Sequence, residues 1–142
     1  MRILALDHGT KRIGMAVSDE TGTIATPLGY LRAEPFAPFL EQLKAVIREK
    51  QVEMILVGLP RNMDGSRGPA EQKVEEFVLV LKDVLAMPVR TWDERLTSVA
   101  ANRFLIGAGV RREKRKEKVD QTAAAILLQS YLDGGVREDR KL

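Results

Sequence analysis

The sequence predicts an α/β fold in which a mixed five-stranded sheet is flanked by helices. Three strand-like segments come first with no helix between them, which favours antiparallel pairing. From Pro38 the apolar residues recur at helical spacing, and strands then alternate with helices, an order typical of parallel crossovers. If the fourth strand pairs parallel to the first, the first strand lies in the centre of the sheet.

The three N-terminal strands each carry a distinct pattern. The first, Ile3–Leu6, is apolar throughout and ends in Asp7, as expected of a strand buried on both faces. The second, Ile13–Val17, alternates bulky residues with small ones, so its small face can accept a packed helix or a substrate backbone. The third, Thr23–Leu31, contains Pro27, which cannot donate to a ladder and so favours the sheet edge.

After the three N-terminal strands, predicted helices alternate with predicted strands as far as the fifth strand, and two helices follow it. The predicted segments are a helix over 38–50, a strand over 54–57, a helix from Pro69, a strand over 88–92, a helix capped by Thr97 or Ser98 that stops at Gly107, and a last helix over about 119–133. With 142 residues, the chain is predicted to form one domain over residues 1–142, and 136–142 are expected to be a flexible charged tail.

Composition excludes several classes of function. The chain has no cysteine, which rules out a disulfide framework, a thiolate metal site and a cysteine nucleophile. The apolar runs are far shorter than the ~20 residues that a membrane span needs. The N-terminal apolar stretch is also too short for a signal peptide. We therefore expect a cytoplasmic protein.

Positive charge is concentrated in the segment Arg111–Lys118, which holds six basic and two acidic residues in a chain whose net charge is +3. Such a segment is a candidate for phosphate contacts. Seen alone, a run of this kind is more often a solvated loop. The choice between these interpretations depends on what else the chain carries.

Acidic residues occur where a ligand site is expected. Asp7 and the pair Asp93/Glu94 lie at the ends of the first and fifth strands, and ligands collect at the carboxyl ends of parallel strands. Asp120 lies in the first turn of the last helix, on the face that also carries Ala124, Leu127 and Tyr131. Structural roles remain open for both: Asp7 can pair with Lys11 or Arg12, and Asp120 can cap its own helix.

Oxygen ligands without cysteine suit Mg²⁺ or Mn²⁺ better than zinc. Two such ions about 4 Å apart can activate a water molecule and stabilise the leaving oxygen of a phosphodiester. His8 is a possible base or ligand, but a single histidine beside a turn more often makes a local hydrogen bond. Trp92 and Tyr131 are expected in the core rather than as stacking platforms for bases.

Four segments together resemble the YqgF family, also called RuvX, of Holliday junction resolvases and pre-16S rRNA nucleases. They are Asp7-His-Gly-Thr-Lys-Arg-Ile-Gly-Met-Ala-Val-Ser18, Val57-Gly-Leu-Pro-Arg-Asn-Met-Asp-Gly65, Asp93-Glu-Arg-Leu-Thr97 and Val119-Asp-Gln-Thr-Ala-Ala124. The resemblance covers essentially the whole chain. It implies an RNase H-like fold and a metal-dependent nuclease whose catalytic and metal-binding acids are Asp7, Glu94 and Asp120, with Asp93 in reserve.

The chain departs from the wider RuvC-like resolvases at the fourth strand, which carries a catalytic acid in those proteins. Here that strand ends Val57-Gly58-Leu59-Pro60, so the motif on the fifth strand must supply the missing ligand. The resemblance also favours phosphate contacts for the basic run. The predicted nucleic-acid-binding residues are Lys11, Arg12, Arg61, Asn62, Arg95, Arg111, Arg112, Lys114, Arg115 and Lys116.

Several alternatives stay open from the sequence. The resemblance favours 5′-end processing of pre-16S rRNA, but phosphate contacts look alike for structured RNA and a four-way DNA junction. A resolvase would need two symmetric sites and hence a homodimer, whereas an RNA nuclease can be a monomer. A non-catalytic ribosome-assembly factor is the alternative of another class. Asp7-x-Gly9-Thr10 also opens the phosphate-binding hairpin of actin-type phosphotransferases, which need two such domains.

Overall fold

In the computed structural model, which describes residues 1–62, 64–96 and 123–135, helices cover both faces of one five-stranded sheet. The strands are β1 (Ile3–His8), β2 (Arg12–Ser18), β3 (Ala25–Arg32), β4 (Met54–Leu59) and β5 (Val89–Asp93). The helices are α1 (Phe36–Glu49), α2 (Pro69–Val84) and α3, whose described part is residues 123–130 followed by a π-helical turn, Tyr131–Gly135. A 3-10 turn, Glu94–Leu96, follows β5.

Four sequence predictions fall outside the described residues. They are the helix from Thr97 or Ser98 to Gly107, the basic run Arg111–Lys118, Asp120 and the tail 136–142. Within the described ranges, no helix is long and apolar enough to span a bilayer.

The sheet has the predicted topology. Its strand order is β3-β2-β1-β4-β5, with antiparallel pairing from β1 to β3 and parallel pairing of β1 with β4 and of β4 with β5. β1 is therefore central, and β3 with its Pro27 lies at an edge, both as the sequence predicts. β4 continues two residues further than predicted because Gly58 and Leu59 still pair with β5.

Alternating side chains divide the core into two layers. Leu4, Leu6 and Ile13 face α1 and α2, where Phe39, Leu43, Val74 and Leu81 are buried. Ile3, Ala5 and Ala16 face α3, where they pack with Ala124, Leu127 and Leu128. The small face of β2 thus receives a packed helix at Ala16, one of the two interpretations left open. Trp92 and Tyr131 also belong to this second layer, with ring centroids 5.5 Å apart, which confirms their expected place in the core.

Both crossover helices lie close to their predicted positions. α1 begins at Phe36, two residues before the predicted start at Pro38. The helix can include Pro38 because this residue lies in the first turn, where its missing N–H costs no helical hydrogen bond. α2 begins at Pro69, as predicted, with Gly68 as its N-cap residue.

Candidate active site

The ends of β1 and β5 bring two carboxyl groups into contact. Asp7 follows the alternation of Ile3 and Ala5 and therefore lies on the α3 face of the sheet. Glu94, the first residue of the 3-10 turn after β5, hydrogen-bonds to the Asp7 side chain. The chain thus joins acids that are 87 positions apart in sequence at the edge where ligands collect in parallel sheets.

Gly58 is the residue that makes room for this contact. It is the last residue but one of β4 and lies on the α3 face, and a Cβ placed on it would lie 2.6 Å from Oε1 and 2.7 Å from Cγ of Glu94. No real Cβ approaches other atoms so closely, so any side chain at position 58 would displace the glutamate. The fourth strand therefore has no acid at this position because the side chain of Glu94, which follows the fifth strand, occupies the space.

Glu94 is held as a carboxylic acid rather than as a carboxylate. Burial raises its pKa first, and the hydrogen bond and charge of Asp7 and the charge of Asp93 add to this, so that the pKa reaches about 9. Two carboxyl groups in contact cannot both ionise cheaply, and one proton shared between them removes the repulsion. At neutral pH Glu94 therefore keeps its proton.

Asp93, the neighbouring acid, faces the other way. As the last residue of β5 it follows Trp92 and so projects on the α2 side of the sheet. Its Oδ2 accepts from Nη2 of Arg95 at 2.7 Å and from Nε at 2.9 Å, and its Oδ1 accepts from the Arg95 backbone N–H at 2.9 Å. These hydrogen bonds from Arg95 lower the pKa of Asp93, so it is an ion-pair partner rather than a companion of Asp7.

Arg61, in the loop after β4, is also paired with a carboxylate. Its Nε donates to Oε1 of Glu71 at 2.9 Å, and Glu71 is 1% exposed while the Arg61 side chain is 40% exposed. In the same loop, Asn62 donates from Nδ2 to Oγ of Ser66 at 3.0 Å. The predicted phosphate contacts of Arg61, Asn62 and Arg95 stay predictions, but the two arginines are oriented by carboxylates on the protein side.

The turn between β1 and β2 carries the other predicted contacts. Lys11 is exposed, and the Arg12 guanidinium lies 4.8 Å from the centre of the Tyr30 ring. His8 lies on the α1 and α2 side, away from Asp7, with its ring 4.6 Å from that of Phe77. Burial lowers the pKa of His8; the charge of Asp7 raises it and that of Lys73 lowers it further. The structure therefore places His8 in an aromatic contact rather than beside the acids.

The third predicted acid, Asp120, and the predicted contacts Arg111, Arg112, Lys114, Arg115 and Lys116 lie outside the described residues. The helix face on which the sequence places Asp120 is the buried one where it is described, since Ala124, Leu127 and Tyr131 are at most 5% exposed. Among the described residues, no group of three carboxylate or imidazole side chains is arranged to hold a metal ion.

The paired acids fit a divalent cation. Asp7 and Glu94 could hold such a cation, whose positive charge would take the place of the proton and offset the repulsion between two ionised carboxylates. Oxygen-only donors are the ligands that Mg²⁺ and Mn²⁺ prefer. The fit rests on Asp7 and Glu94 alone, because these are the two acids that the structure brings together on the α3 face.

Sequence reasoning missed two residues that shape this site. The sequence shows Gly58 only as the place of a missing acid, although a glycine near the end of a strand beside a ligand-bearing strand can signal a close approach. Glu71 has no signal in the sequence, because an acid in the first turn of a helix is common at the surface and nothing local shows that this one is buried.

The family model and the related proteins that match this chain both cover nearly its whole length. The model of the RuvX family, described as Holliday junction resolvase, matches residues 1–134. The "Putative pre-16S rRNA nuclease" of Thermoanaerobacter pseudethanolicus is 49% identical over 134 residues, which cover 94% of this chain and 96% of that protein. A protein of the same name from Geobacillus kaustophilus is 47% identical over 135 residues, covering 94% and 98%.

Solved structures with this fold have much lower sequence identity. T. thermophilus RuvC in complex with a Holliday junction substrate has a TM-score of 0.55 at 16% identity, covering 95% of this chain and 96% of that one. The fowlpox virus Holliday junction resolvase has a TM-score of 0.52 at 15% identity, covering 94% and 99%. At such identities the likeness concerns the fold, and it confirms the predicted RNase H-like architecture.

Proposed function

Because the chain belongs to the RuvX family, we propose that it is a metal-dependent nuclease that hydrolyses phosphodiester bonds with Asp7 and Glu94 as its metal ligands. The observation that carries this proposal is the contact of Glu94 with Asp7 in the space left by Gly58. Two half-buried acids in contact at the carboxyl edge of the sheet are costly for stability, and a bound cation would offset that cost.

The substrate we favour is the 5′ end of pre-16S rRNA, since the relatives that match nearly the whole chain carry that name. This role in ribosome biogenesis would place the protein in the cytoplasm. A Holliday junction is the second candidate, supported by the description of the family. The two substrates call for different oligomeric states, because a junction needs two symmetric active sites and hence a homodimer.

In the reaction, the protein's side chains would hold the metal ions and orient the substrate. One or two Mg²⁺ or Mn²⁺ ions would supply the activated water and the stabilisation of the leaving oxygen. Asp7 and Glu94 would bind the metal from the end of β1 and from the turn after β5, with Asp120 as the third ligand. Glu94 must lose its proton to do so, so metal binding releases a proton and strengthens as the pH rises.

The cationic groups would position the nucleic acid backbone. Arg95 and Arg61 both lie close to Asp93 and are held by carboxylates, so their guanidinium groups are pre-oriented for phosphate oxygens. Lys11, Arg12 and Asn62 would extend this surface, and so would the basic run Arg111–Lys118. Contacts of this kind fix the register of the substrate on the protein and do not read its sequence.

The proposal is tested with purified protein and Mn²⁺ or Mg²⁺ on precursor 16S rRNA and on a synthetic four-way junction, with the solution mass measured in parallel. We expect cleavage of the precursor RNA that EDTA stops and that Asp7→Asn abolishes while RNA binding is kept. Cleavage of neither substrate with either metal would leave the non-catalytic assembly factor as the better account. Cleavage of the junction alone by a dimer would favour the resolvase.

A further inference from the structure

A cavity of about 530 Å³ opens on the α1 and α2 face of the sheet, at the same edge as Asp7 and Glu94 but on the opposite side from them. His8 at the end of β1 and the turn that follows it form one wall. The segment leading into α1 as far as Phe36 and the middle of α2 from Lys73 to Val80 form the others. Its size is within the range of about 300–1,000 Å³ that is usual for small-molecule sites. The Cα atoms of Asp7 and His8 are only ~3.8 Å apart, so the cavity and the acids adjoin across one sheet edge.

Three of the residues that line this cavity have aromatic rings: His8, Phe36 and Phe77. The rings of His8 and Phe77 have centroids 4.6 Å apart, and Phe39 links Phe77 to Phe36 with centroid distances of 5.9 Å on each side. Phe36 is 38% exposed and Val80 is 42% exposed, although both line the cavity. Large apolar side chains left exposed around a concave site are typical of a surface that receives a partner.

The charges around the cavity favour a base over a phosphate as the occupant. Glu34 and Glu76 line it together with Lys73. Carboxylates repel a phosphate, but they accept hydrogen bonds from the ring N–H and amino groups of nucleobases. Aromatic faces stack on any base, and a base can reach such a pocket only if it is unpaired.

We propose that this cavity binds an unpaired nucleobase of the substrate, next to the phosphate held at Asp7 and Glu94. The proposal rests on the nuclease function argued above and makes it more specific: the substrate strand is single-stranded on one side of the scissile bond. A strand crossing the sheet edge would place its phosphate on the α3 face and the neighbouring base on the α1 and α2 face. A continuous duplex cannot do so, because its bases stay stacked inside the helix.

The test measures binding rather than cleavage, with the whole protein in EDTA so that the RNA stays intact. Fluorescence anisotropy compares a duplex with a short overhang and the same duplex whose overhang is abasic, which keeps every phosphate and removes the rings. We expect the overhang with bases to bind about fivefold or more tightly, the smaller of the gains usual for one stacked base. Each end of the duplex is tested in turn.

Variants then assign the preference to the cavity. Phe36→Leu keeps the apolar bulk and removes the aromatic face, and Phe36→Ala removes both; each is expected to abolish the difference between the two overhangs. Leu79→Ala is the matched control because its side chain, 65% exposed on α2, extends into solvent. It should keep the full preference. Circular dichroism confirms that each variant is folded.

Three outcomes would overturn the proposal: equal binding of the two overhangs by the wild type, an unchanged preference in folded Phe36→Ala, or a dimer in solution that Phe36→Ala dissociates. The last would make the cavity an interface between copies of the chain. Cleavage of pre-16S rRNA without any overhang preference would refute this pocket alone, whereas absence of cleavage with an intact preference would refute the nuclease function alone.

Discussion

Gly58 and Glu94 share one small space, and the contact between Glu94 and Asp7 depends on it. The glutamate side chain lies where a Cβ of residue 58 would be, and from there it reaches Asp7. The sequence locates the acids Asp93 and Glu94 but leaves the choice between them open, because the alternation rule for strands does not say where the strand stops. The structure ends β5 at Asp93 and turns Glu94 toward Asp7.

Gly58→Ala should therefore disable the site with little effect on the fold. The added methyl group would meet Oε1 of Glu94 at 2.6 Å, so the carboxyl group must leave Asp7. We expect metal-dependent cleavage to fall by about 10-fold or more while the thermal midpoint changes little. Gly134→Ala is the matched control, since a Cβ there meets nothing within 4 Å. Wild-type activity in Gly58→Ala would show that the space above Gly58 is not needed.

The shared proton of the acid pair predicts a pH-dependent stability of the metal-free protein. The pKa of Glu94 is about 9 in the folded chain, whereas its ordinary value is 4.5. Between these two pH values, the folded state therefore holds a proton that the unfolded state has lost. Stability from this group is complete below pH 4.5 and is lost as the pH rises toward 9. The slope should be at most about 1.4 kcal/mol per pH unit, the value for one proton.

Urea unfolding in EDTA between pH 7 and 9 measures this slope. The window lies above the ordinary pKa of 6.5 for histidine, so His8, whose pKa is lowered and whose contribution has the opposite sign, does not interfere. Glu94→Gln keeps a donor to Asp7 without a titrating proton and should flatten the curve in this range. Equal slopes in the wild type and Glu94→Gln would contradict the shared proton.

At the scale of elements, α2 packs on the sheet and also holds the loop that precedes it. Its first turn carries Glu71, which is 1% exposed and accepts from Nε of Arg61 in the loop before the helix. This contact ties the loop to the helix and fixes the direction of a cation that we place on the substrate backbone. A buried carboxylate with an arginine partner is hard to replace, because removing one member leaves the other uncompensated.

Glu71→Ala should weaken substrate binding more than catalysis. Arg61 would lose its orienting partner, so we expect KM to rise by about threefold or more while kcat changes less, since phosphate contacts away from the reacting atoms act mainly on binding. Glu71→Gln keeps an oxygen acceptor for Arg61 and should restore most of the affinity. Glu75→Ala, on the same helix, removes an exposed ion pair with Arg67 and is the control. Equal KM values in Glu71→Ala and Glu75→Ala would contradict this role.

The sequence predicts the helices and strands well where periodicity or a special residue marks them. Pro27 marks the edge strand and Pro69 the start of α2, and both act through the missing N–H. The end of β4 is less predictable, because Gly58 and Leu59 resemble a turn and extend the strand only through pairing with β5. Boundaries set by tertiary pairing cannot be found from local patterns.

For the whole molecule, two features at the carboxyl edge of one sheet lie on its opposite faces. The acids lie on the face covered by α3, and the aromatic cavity lies on the face covered by α1 and α2. The order of elements was enough to predict β1 at the centre, and hence the place where its last residues emerge. The cavity could not be predicted, because His8, Phe36 and Phe77 come together only through packing of distant elements.

The most direct test of the central claim compares Glu94→Gln with Asp93→Asn in metal-dependent cleavage of precursor 16S rRNA. The two residues are adjacent and each change replaces a carboxyl group with an amide of nearly the same size, so general effects on the fold are matched. We expect Glu94→Gln to lower kcat by about 100-fold or more, whereas Asp93→Asn, which loosens Arg95, should lower kcat by about tenfold or less. A folded Asp93→Asn that loses activity while Glu94→Gln keeps it would contradict the account.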